Sequence, residues 1–320
     1  KQKAEQEEKI AAFLKKLWKF HAANRRDMPW RNTKDPYKIL LSELMLQQTQ
    51  VPRVLQKYDE FLINFPNLEA VHKAAMPDVL RVWKGLGYNR RAYFIKRIAD
   101  TLVAQKSANT KKSLAIFPDR YEDLIKLPGI GQSTGGAMVA FCFAAKTGEK
   151  IPYIETNVRA VFLHEFFGDS TMVNDKEIIE LLQLCLDKTD PNDIREFYYA
   201  IYDYGTNLKA TLGKNKTDLH KRSAHYVKQS TFKGSVREMR ALILSSLLKK
   251  HMAKPTKEKI FEDIWSRYSS SKSETPRLAE YRTAELQRFD TAFERLLKDG
   301  SIKAEPRLGN GRKQDIISIC

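Results

Sequence analysis

The stretch Leu127-Pro128-Gly129-Ile130-Gly131 lies between two runs of helical periodicity, at residues 121–127 and 133–145. Glycine adopts backbone conformations that other residues avoid, so the two glycines permit a tight turn between the helices. The backbone N–H groups at the start of the second helix can then approach a phosphate. The pattern indicates a helix-hairpin-helix motif that binds DNA. A plain turn between two packed helices is the alternative.

Helical periodicity covers most of the chain on both sides of this motif. Apolar residues recur at intervals of three and four residues over 5–23, 37–49, 51–65, 76–86, 90–104, 157–167, 175–186 and 194–206. Strand-like alternation is nearly absent before residue 300. The body of the chain is therefore predicted to be all-α.

The pattern changes after a lysine-rich linker at 209–234. Helical runs are expected near 236–251, 256–268 and 288–298, and they are followed by short β-like runs at 301–305 and 315–319, joined by Gly309-Asn310-Gly311. We predict two domains: a helical domain at 1–230 and a winged-helix-like α+β module at 231–320. A helical extension that ends in a frayed hairpin is the alternative for the second.

The charge balance points to a polyanionic partner. The 320 residues include 56 Lys and Arg against 39 Asp and Glu, a net charge of +17. Such an excess is typical of proteins that bind nucleic acid, although a basic surface can also serve solubility alone. No run approaches the roughly 18 uncharged apolar residues of a membrane helix, and the first 30 residues do not resemble a signal peptide. We expect a cytoplasmic, nucleoid-associated protein without a membrane partner.

Further motifs identify the family that the chain resembles. In order along the sequence these are Met28-Pro29-Trp30-Arg31, Asp35-Pro36-Tyr37-Lys38, the run from Leu41 to Val51, Gly85-Leu86-Gly87-Tyr88, the hairpin, and Thr156-Asn157-Val158-Arg159. Over about residues 10 to 205 the chain resembles the MutY adenine glycosylases of the helix-hairpin-helix (HhH-GPD, endonuclease III) superfamily. The resemblance implies two helical lobes around a DNA-binding cleft. It also implies a monomer that removes a mispaired adenine, opposite 8-oxoguanine or guanine, from double-stranded DNA.

Breaking a glycosidic bond calls for two carboxyl groups in different environments. By resemblance Glu43 is the general acid that protonates nitrogen 7 of adenine, and its apolar neighbours should raise its pKa. The second carboxylate is an aspartate in the family, but Glu155 stands there, followed by Thr156 in place of glycine and by Asn157, which completes the catalytic set. One extra methylene moves a charge by about 1 Å, enough to slow a reaction on the order of a hundredfold. Either the backbone has adjusted, or the protein is slow, altered in substrate or inactive.

The resemblance assigns the remaining site residues. Trp30, Arg31, Leu46 and Tyr88 belong to the base pocket and its surroundings, although Tyr88 fits a core position equally well. Gln48 is the wedge inserted where the flipped base leaves the stack. Bifunctional relatives carry a Schiff-base lysine where this chain has Ser133, so a monofunctional enzyme without strand cleavage is expected. The expected DNA contacts are Gln47, Thr49, Gly129, Ile130, Gly131, Gln132 and Arg159.

Two departures concern the region beyond residue 205. Cys142, Cys185 and Cys320 are the only cysteines, so the four-cysteine iron–sulfur cluster of most relatives cannot form, and no cofactor or metal is expected. The lysine-rich stretch at 208–228 replaces the cluster, either as a phosphate-binding loop or as a solvated linker. Residues 235–320 do not resemble the Nudix-like domain that reads 8-oxoguanine in MutY enzymes, which leaves the opposite base open.

Three functions remain in competition at this point. The first is a monofunctional adenine glycosylase. The second is a glycosylase for another base, such as uracil or thymine opposite guanine or a deaminated purine, which the change to Glu155 and the missing reader domain favour. The third is a non-catalytic protein that binds DNA lesions.

Overall fold

The computed structural model describes residues 2–109, 117–212, 219–228, 230–249, 255–269, 277–309 and 312–320. Most of these residues are helical. None of the described helices has the length and apolar composition needed to cross a membrane. Contacts divide the chain into two compact units: residues 1–69 with 97–228, and residues 70–96 with 229–320.

The first unit is built from helices and contains the hairpin. The helices that begin in it or run into it are α1 (Gln2–Asn24), α2 (Pro36–Leu46), α3 (Val51–Asn64), α4 (Leu68–Lys73), α6 (Arg90–Asn109), α7 (Tyr121–Leu124), α8 (Gln132–Met138), α9 (Ala144–Thr147), α10 (Thr156–Phe166), α11 (Asp175–Asp187) and α12 (Ile194–Leu212). The apolar face of α1 packs on α10 and α12, where Phe13 meets Phe162 with ring centroids 5.7 Å apart. The first unit therefore confirms the all-α prediction.

Helix α2 starts and stops at identifiable residues. The Asp35 carboxylate accepts the Tyr37 N–H at 2.9 Å, and Pro36 occupies the first helical position, which suits proline. The helix ends at Leu46, because Gln47 has a ψ of 110° and Gln48 has a φ of +54°. The prediction of a helix through residue 49 was wrong here: residues 47–50 form a turn.

The hairpin forms where the sequence predicts it. Gly129 has a φ of +80°, and the Ile130 N–H donates to the Leu127 carbonyl at 3.1 Å. Helix α8 then runs into a π-helical segment, Val139–Phe143, before α9. Such π segments carry one extra residue per turn and are frequent near functional sites. Sequence periodicity over 133–145 did not reveal it.

The second unit combines residues 70–96 with the C-terminal residues. It contains α5 (Met76–Trp83), α13 (Val236–Leu247), α14 (Lys257–Ser269), α15 (Arg277–Lys298), β1 (Ile302–Gly309) and β2 (Arg312–Ile319). The Tyr93 hydroxyl donates to the Ser301 carbonyl at 2.7 Å within this unit. The division differs from the predicted boundary between 230 and 231, because the grouping of 70–96 with the C-terminal residues has no signal in the linear sequence.

The C-terminal residues form the expected three helices and a β hairpin. Strands β1 and β2 pair antiparallel, with Ile302 opposite Ile319 and Gly309 opposite Arg312. Side chains from all three helices and both strands enclose one buried cluster, which includes Met239, Phe261 and Phe289. The predicted α+β character is confirmed. The strands are longer than the runs at 301–305 and 315–319, and Asn310-Gly311 lies outside the described residues.

Candidate active site

An open cavity of about 630 Å³ lies in the first unit. This volume is within the range of small-molecule binding pockets. The loop before α2, the end of α2, the turn at 47–50, the start of α8, the start of α10 and one face of α12 form its walls. Eleven of the predicted site residues line it: Trp30, Arg31, Glu43, Leu46, Gln47, Gln48, Thr49, Ser133, Glu155, Asn157 and Arg159.

Two carboxyl groups face this cavity and interact with each other. Glu43 lies on α2 and Glu155 is the N-cap residue of α10. Burial raises the pKa of Glu43 well above its usual value, and the nearby charge of Glu155 raises it further. Burial also raises the pKa of Glu155, but a hydrogen bond from Tyr202 acts in the opposite direction. Glu155 is therefore the carboxyl that ionises more readily, and Glu43 is the one that keeps its proton.

Aromatic side chains that the sequence did not single out complete this wall. Tyr199 and Tyr202 project from α12 into the cavity lining. The Tyr202 hydroxyl lies 2.8 Å from the hydroxyl of Tyr153, and Tyr199 stacks on Phe141 with ring centroids 4.7 Å apart. The tyrosines of α12 follow a helical spacing that is equally typical of core packing, so their role was not visible from the sequence.

A buried ion pair holds Arg31 in the cavity wall. Its two terminal nitrogens donate to the Asp203 carboxylate at 2.7 and 2.9 Å, and its guanidinium lies 4.4 Å from the centre of the Tyr199 ring. Arg26 donates to the same carboxylate at 2.5 Å. Burial opposes ionisation of Asp203, yet the bonds from Arg31 and Arg26 hold its pKa below the usual value. Asp203 was missed, although an acid between two tyrosines of α12 is a signal for such a role.

Arg195 fixes the loop that carries Trp30 and Arg31. Its guanidinium donates to the carbonyls of Arg31 at 3.0 Å and Thr33 at 2.6 Å, with a longer bond of 3.4 Å to Trp30. It also donates to the carbonyl of Phe141 in the π segment at 3.2 Å. One side chain of α12 therefore connects the loop before α2 with the π segment.

The predicted wedge lies in the turn after α2. Gln48 is exposed and adopts the left-handed conformation, which is uncommon for a residue with a side chain. Gln47 donates to the Thr134 hydroxyl at 3.3 Å, and the Thr49 N–H donates to the Leu46 carbonyl at 3.2 Å. The turn thus presents Gln48 at the cavity edge on a backbone held by its neighbours.

The hairpin residues differ in what they present to solvent. Gly129, Gly131 and Gln132 are exposed, but the Ile130 side chain is buried and its N–H is already bonded within the turn. Ile130 therefore anchors the hairpin in the core. Because its side chain is buried, it offers no side-chain surface for the predicted DNA contact. Ser133 is exposed at the start of α8, and its hydroxyl donates to the Ile154 carbonyl at 3.4 Å.

Two predicted residues have intramolecular partners of their own. Arg159 forms a bidentate ion pair with Asp175, with distances of 2.9 and 2.6 Å. Tyr88 belongs to the second unit, where it has a φ of +46° and its hydroxyl accepts a hydrogen bond from Arg237 at 2.8 Å. It is not among the residues that line the cavity. DNA contacts by either residue stay a prediction.

The stretch that replaces the cluster loop is attached by an arginine. Arg222 is buried and donates to the carbonyls of Ser170 at 2.9 Å and Leu163 at 3.2 Å. Backbone bonds from Val173 to Arg222 and from Ala224 to Val173 add a short bridge. Over the described residues 219–228, the chain is therefore anchored to the helical body, which argues against a solvated linker there.

Known proteins are similar to this chain in sequence. The family model described as "HhH-GPD superfamily base excision DNA repair protein" matches residues 41–196. Residues 41–196 are therefore similar to this family. An adenine DNA glycosylase of Buchnera aphidicola is 32% identical over 59% of this chain and 51% of its own length. That of Mycolicibacterium smegmatis is 37% identical over 60% of each chain. The predicted resemblance to the MutY-like branch is confirmed.

The chain is also similar to proteins other than the adenine glycosylases. A thymine/uracil-DNA glycosylase of Methanothermobacter thermautotrophicus is 26% identical over 70% of this chain and 97% of its own length. The solved structure of a thermostable thymine-DNA glycosylase superposes with a TM-score of 0.53 at 22% identity, covering 68% of this chain and 97% of that one. A non-covalent endonuclease III–DNA complex gives 0.50 at 16% identity, over 68% and 95%. These structures share the fold, whereas the chain spans about half the length of the Buchnera adenine glycosylases.

Proposed function

We propose that this chain is a monofunctional DNA glycosylase that hydrolyses the glycosidic bond of a mispaired adenine flipped out of duplex DNA. The observation that carries the proposal is the pair Glu43 and Glu155, which face one cavity in different environments. Pairs of carboxyl groups whose pKa values are driven apart are typical of enzymes that need both an acid and an anion. The adenine glycosylase relatives support adenine as the substrate.

Glu43 supplies the acid. Its raised pKa keeps the carboxyl protonated near neutral pH, so it can protonate nitrogen 7 of the base. The bond between C1′ and N9 then breaks, and its electron pair leaves with the base. The sugar that remains carries positive charge, which the Glu155 carboxylate stabilises. Water adds to C1′ and loses a proton to the Glu43 carboxylate, which restores the acid and yields an abasic site.

Ser133 accounts for the monofunctional character. A Schiff base with the sugar needs an amine, and the cavity lining contains no lysine among the described residues. The serine hydroxyl cannot form that intermediate. We therefore expect the reaction to stop at the abasic site and to leave the strand intact.

The turn at 47–50 and the hairpin supply the contacts to duplex DNA. We assign Gln48, which lies at the edge of the cavity, to fill the gap left by the flipped base. The exposed hairpin residues offer backbone N–H groups to a phosphate, and the net charge of +17 favours the duplex as a whole. We propose that a monomer binds a single mispair in this way, in the cytoplasm and in association with the nucleoid.

Thymine or uracil opposite guanine is the second candidate substrate. The relative that acts on these bases by its name aligns over 97% of its length, whereas the chain spans about half of the Buchnera adenine glycosylases. The cavity has room for either a purine or a pyrimidine. In both candidate reactions the Glu155 carboxylate stabilises the positive charge of the sugar. The reactions differ in the base that lies next to Glu43.

The test is single-turnover base release from labelled duplexes, each treated with and without alkali. The duplexes carry adenine opposite 8-oxoguanine, adenine opposite guanine, uracil opposite guanine and thymine opposite guanine. We expect alkali-dependent cleavage of the adenine duplexes, lost in Glu43→Gln and Glu155→Gln. The matched control is Glu60→Gln, because Glu60 lies on α3, does not line the cavity and pairs with Lys57 on the surface.

Three other outcomes would change the proposed function. Cleavage of only the uracil or thymine duplexes would transfer the proposal to those substrates. Cleavage without alkali would refute the monofunctional character. Tight binding to an abasic-site duplex with no base release from any substrate would indicate a non-catalytic lesion-binding protein.

A further inference from the structure

A chain of two tyrosine hydroxyls leads to the Glu155 carboxylate. The Tyr153 and Tyr202 hydroxyls are 2.8 Å apart, Tyr202 and Glu155 line the same cavity, and hydrogen bonding by Tyr202 acts to lower the pKa of Glu155. A phenol has a single proton to donate, and an ionised carboxylate can only accept. If Tyr202 donates to Glu155, Tyr153 must therefore donate to Tyr202. The 2.8 Å contact then completes a chain of donors from Tyr153 through Tyr202 to Glu155.

The first member of this chain is held on every side. The Tyr153 ring stacks on Tyr198 with centroids 4.3 Å apart, and its N–H donates to the Tyr198 hydroxyl at 3.3 Å. Gly136 lies so close that an added Cβ would stand 2.7 Å from the Tyr153 ring. Only glycine leaves room for the ring there, which keeps the Tyr153 hydroxyl pointed at Tyr202.

Cations that face the cavity are engaged elsewhere. The titratable groups around Glu155 are Glu43 from α2, Tyr153 two residues before Glu155 in the chain, and Tyr198 and Tyr202 from α12. The charged groups of the cavity lining are the arginines Arg26, Arg31 and Arg159. Arg26 and Arg31 pair with Asp203, and Arg159 pairs with Asp175. Within the described parts of the chain, Glu155 forms no ion pair. The stabilisation of its charge falls to hydroxyl groups.

We propose that Tyr153 and Tyr202 form a donor relay that keeps Glu155 ionised and aimed into the cavity, with Tyr202 as a positioning residue. In this proposal the Tyr202 hydroxyl on α12 holds the carboxylate of the longer side chain, at a position where the family that the chain resembles carries aspartate. A hydrogen bond to a charged group is stronger when its donor itself accepts one. The catalytic consequence rests on the proposed function, but the ionisation of Glu155 does not.

The direct test is a pH titration of the carboxyl carbons in protein labelled with carbon-13 at the glutamate side chain, followed by NMR. The Glu155 resonance is identified by its disappearance in Glu155→Gln. We expect Tyr202→Phe to move the Glu155 titration midpoint upward by about one pH unit. Tyr153→Phe should move it in the same direction by less, because it removes only the second bond.

The matched control is Tyr37→Phe. The Tyr37 hydroxyl is buried and donates to the Phe65 carbonyl at 2.5 Å, outside the cavity, so its loss should leave the midpoint in place. A midpoint in Tyr202→Phe and Tyr153→Phe equal to that of the wild type would overturn the relay. Should Tyr202→Phe fail to fold, Tyr153→Phe decides the question alone.

A second readout separates this inference from the proposed function. If the wild type releases a base, the acid limb of its pH–rate profile should move to higher pH in Tyr202→Phe, because Glu155 then ionises later. A folded Tyr202→Phe with an unchanged acid limb would overturn the catalytic role. If the wild type releases no base, the proposed function fails, while the NMR midpoint still decides whether the relay exists.

Discussion

Replacing Asp203 by asparagine should destabilise the first unit strongly, because it leaves the Arg31 guanidinium buried without a counter-charge. Both side chains are nearly inaccessible, at 3% for Asp203 and 4% for Arg31. Removing one partner of a buried ion pair costs about 3–5 kcal/mol. Asparagine keeps one acceptor oxygen, so we expect the lower end of that range, about 3 kcal/mol.

The assay is urea unfolding followed by circular dichroism. With a slope of about 2 kcal/mol per molar urea, the midpoint should fall by roughly 1.5 M. The matched control is Asp175→Asn, whose pair with Arg159 is half-buried and should contribute about 1 kcal/mol or less. A midpoint in Asp203→Asn no lower than that of the control would refute the reasoning.

The pH dependence has a defined sign. The pKa of Asp203 is lowered in the folded state, so its contribution is present above the unfolded-state pKa of about 4 and is lost as the pH falls through the folded value. The difference between the wild type and Asp203→Asn should therefore be full at neutral pH and shrink in acid. A difference that grows as the pH falls would contradict the assignment.

Three further changes test other contacts. Gly205→Ala places a Cβ 2.9 Å from the Asn157 Cβ and 3.0 Å from its carbonyl oxygen, so it should destabilise the protein by about 1–3 kcal/mol in urea unfolding. Gly148→Ala, where an added Cβ meets no atom within 4 Å, should show only the strain of its backbone. Glu155→Asp should slow single-turnover base release by about tenfold or more, because the shorter side chain withdraws from Tyr202; a faster variant would show that the family's aspartate suits this cavity better. Arg222→Met should lower the free energy of unfolding by about 1–3 kcal/mol, because the buried Leu163 carbonyl and the Ser170 carbonyl both lose their donor, and an unchanged urea midpoint would contradict its anchoring role.

The site residues that belong to short sequence motifs could be predicted. Glu43 and Glu155 are about 110 residues apart, yet both could be placed in one cavity, because each belongs to a motif with a known neighbour in the family that the chain resembles. The helices could be placed by apolar spacing. Their ends were less certain, and α2 stops three residues early, because backbone angles at 47 and 48 are set by tertiary contacts that periodicity does not encode.

The residues that support the site were not predictable in the same way. Asp203 and Tyr202 lie almost fifty positions after Glu155 in the sequence. They belong to a helix whose aromatic residues have the spacing of ordinary core residues. Their roles depend on which face of α12 meets α10, and only the packed structure fixes that. The grouping of residues 70–96 with the C-terminal module likewise depends on long-range contacts such as the bond from Tyr93 to Ser301.

In the proposed function, Arg195 bears on how the cavity discriminates between bases. A pocket wall that yields easily can adapt to several shapes, and its selectivity then depends on hydrogen bonds alone. The loop that carries Trp30 and Arg31 is bound through its carbonyls to the Arg195 guanidinium, which also holds the π segment, so this wall cannot shift without breaking those bonds. A base of the wrong shape must therefore break them in order to fit. Replacing Arg195, which does not line the cavity, should relax base preference without removing a cavity-lining side chain.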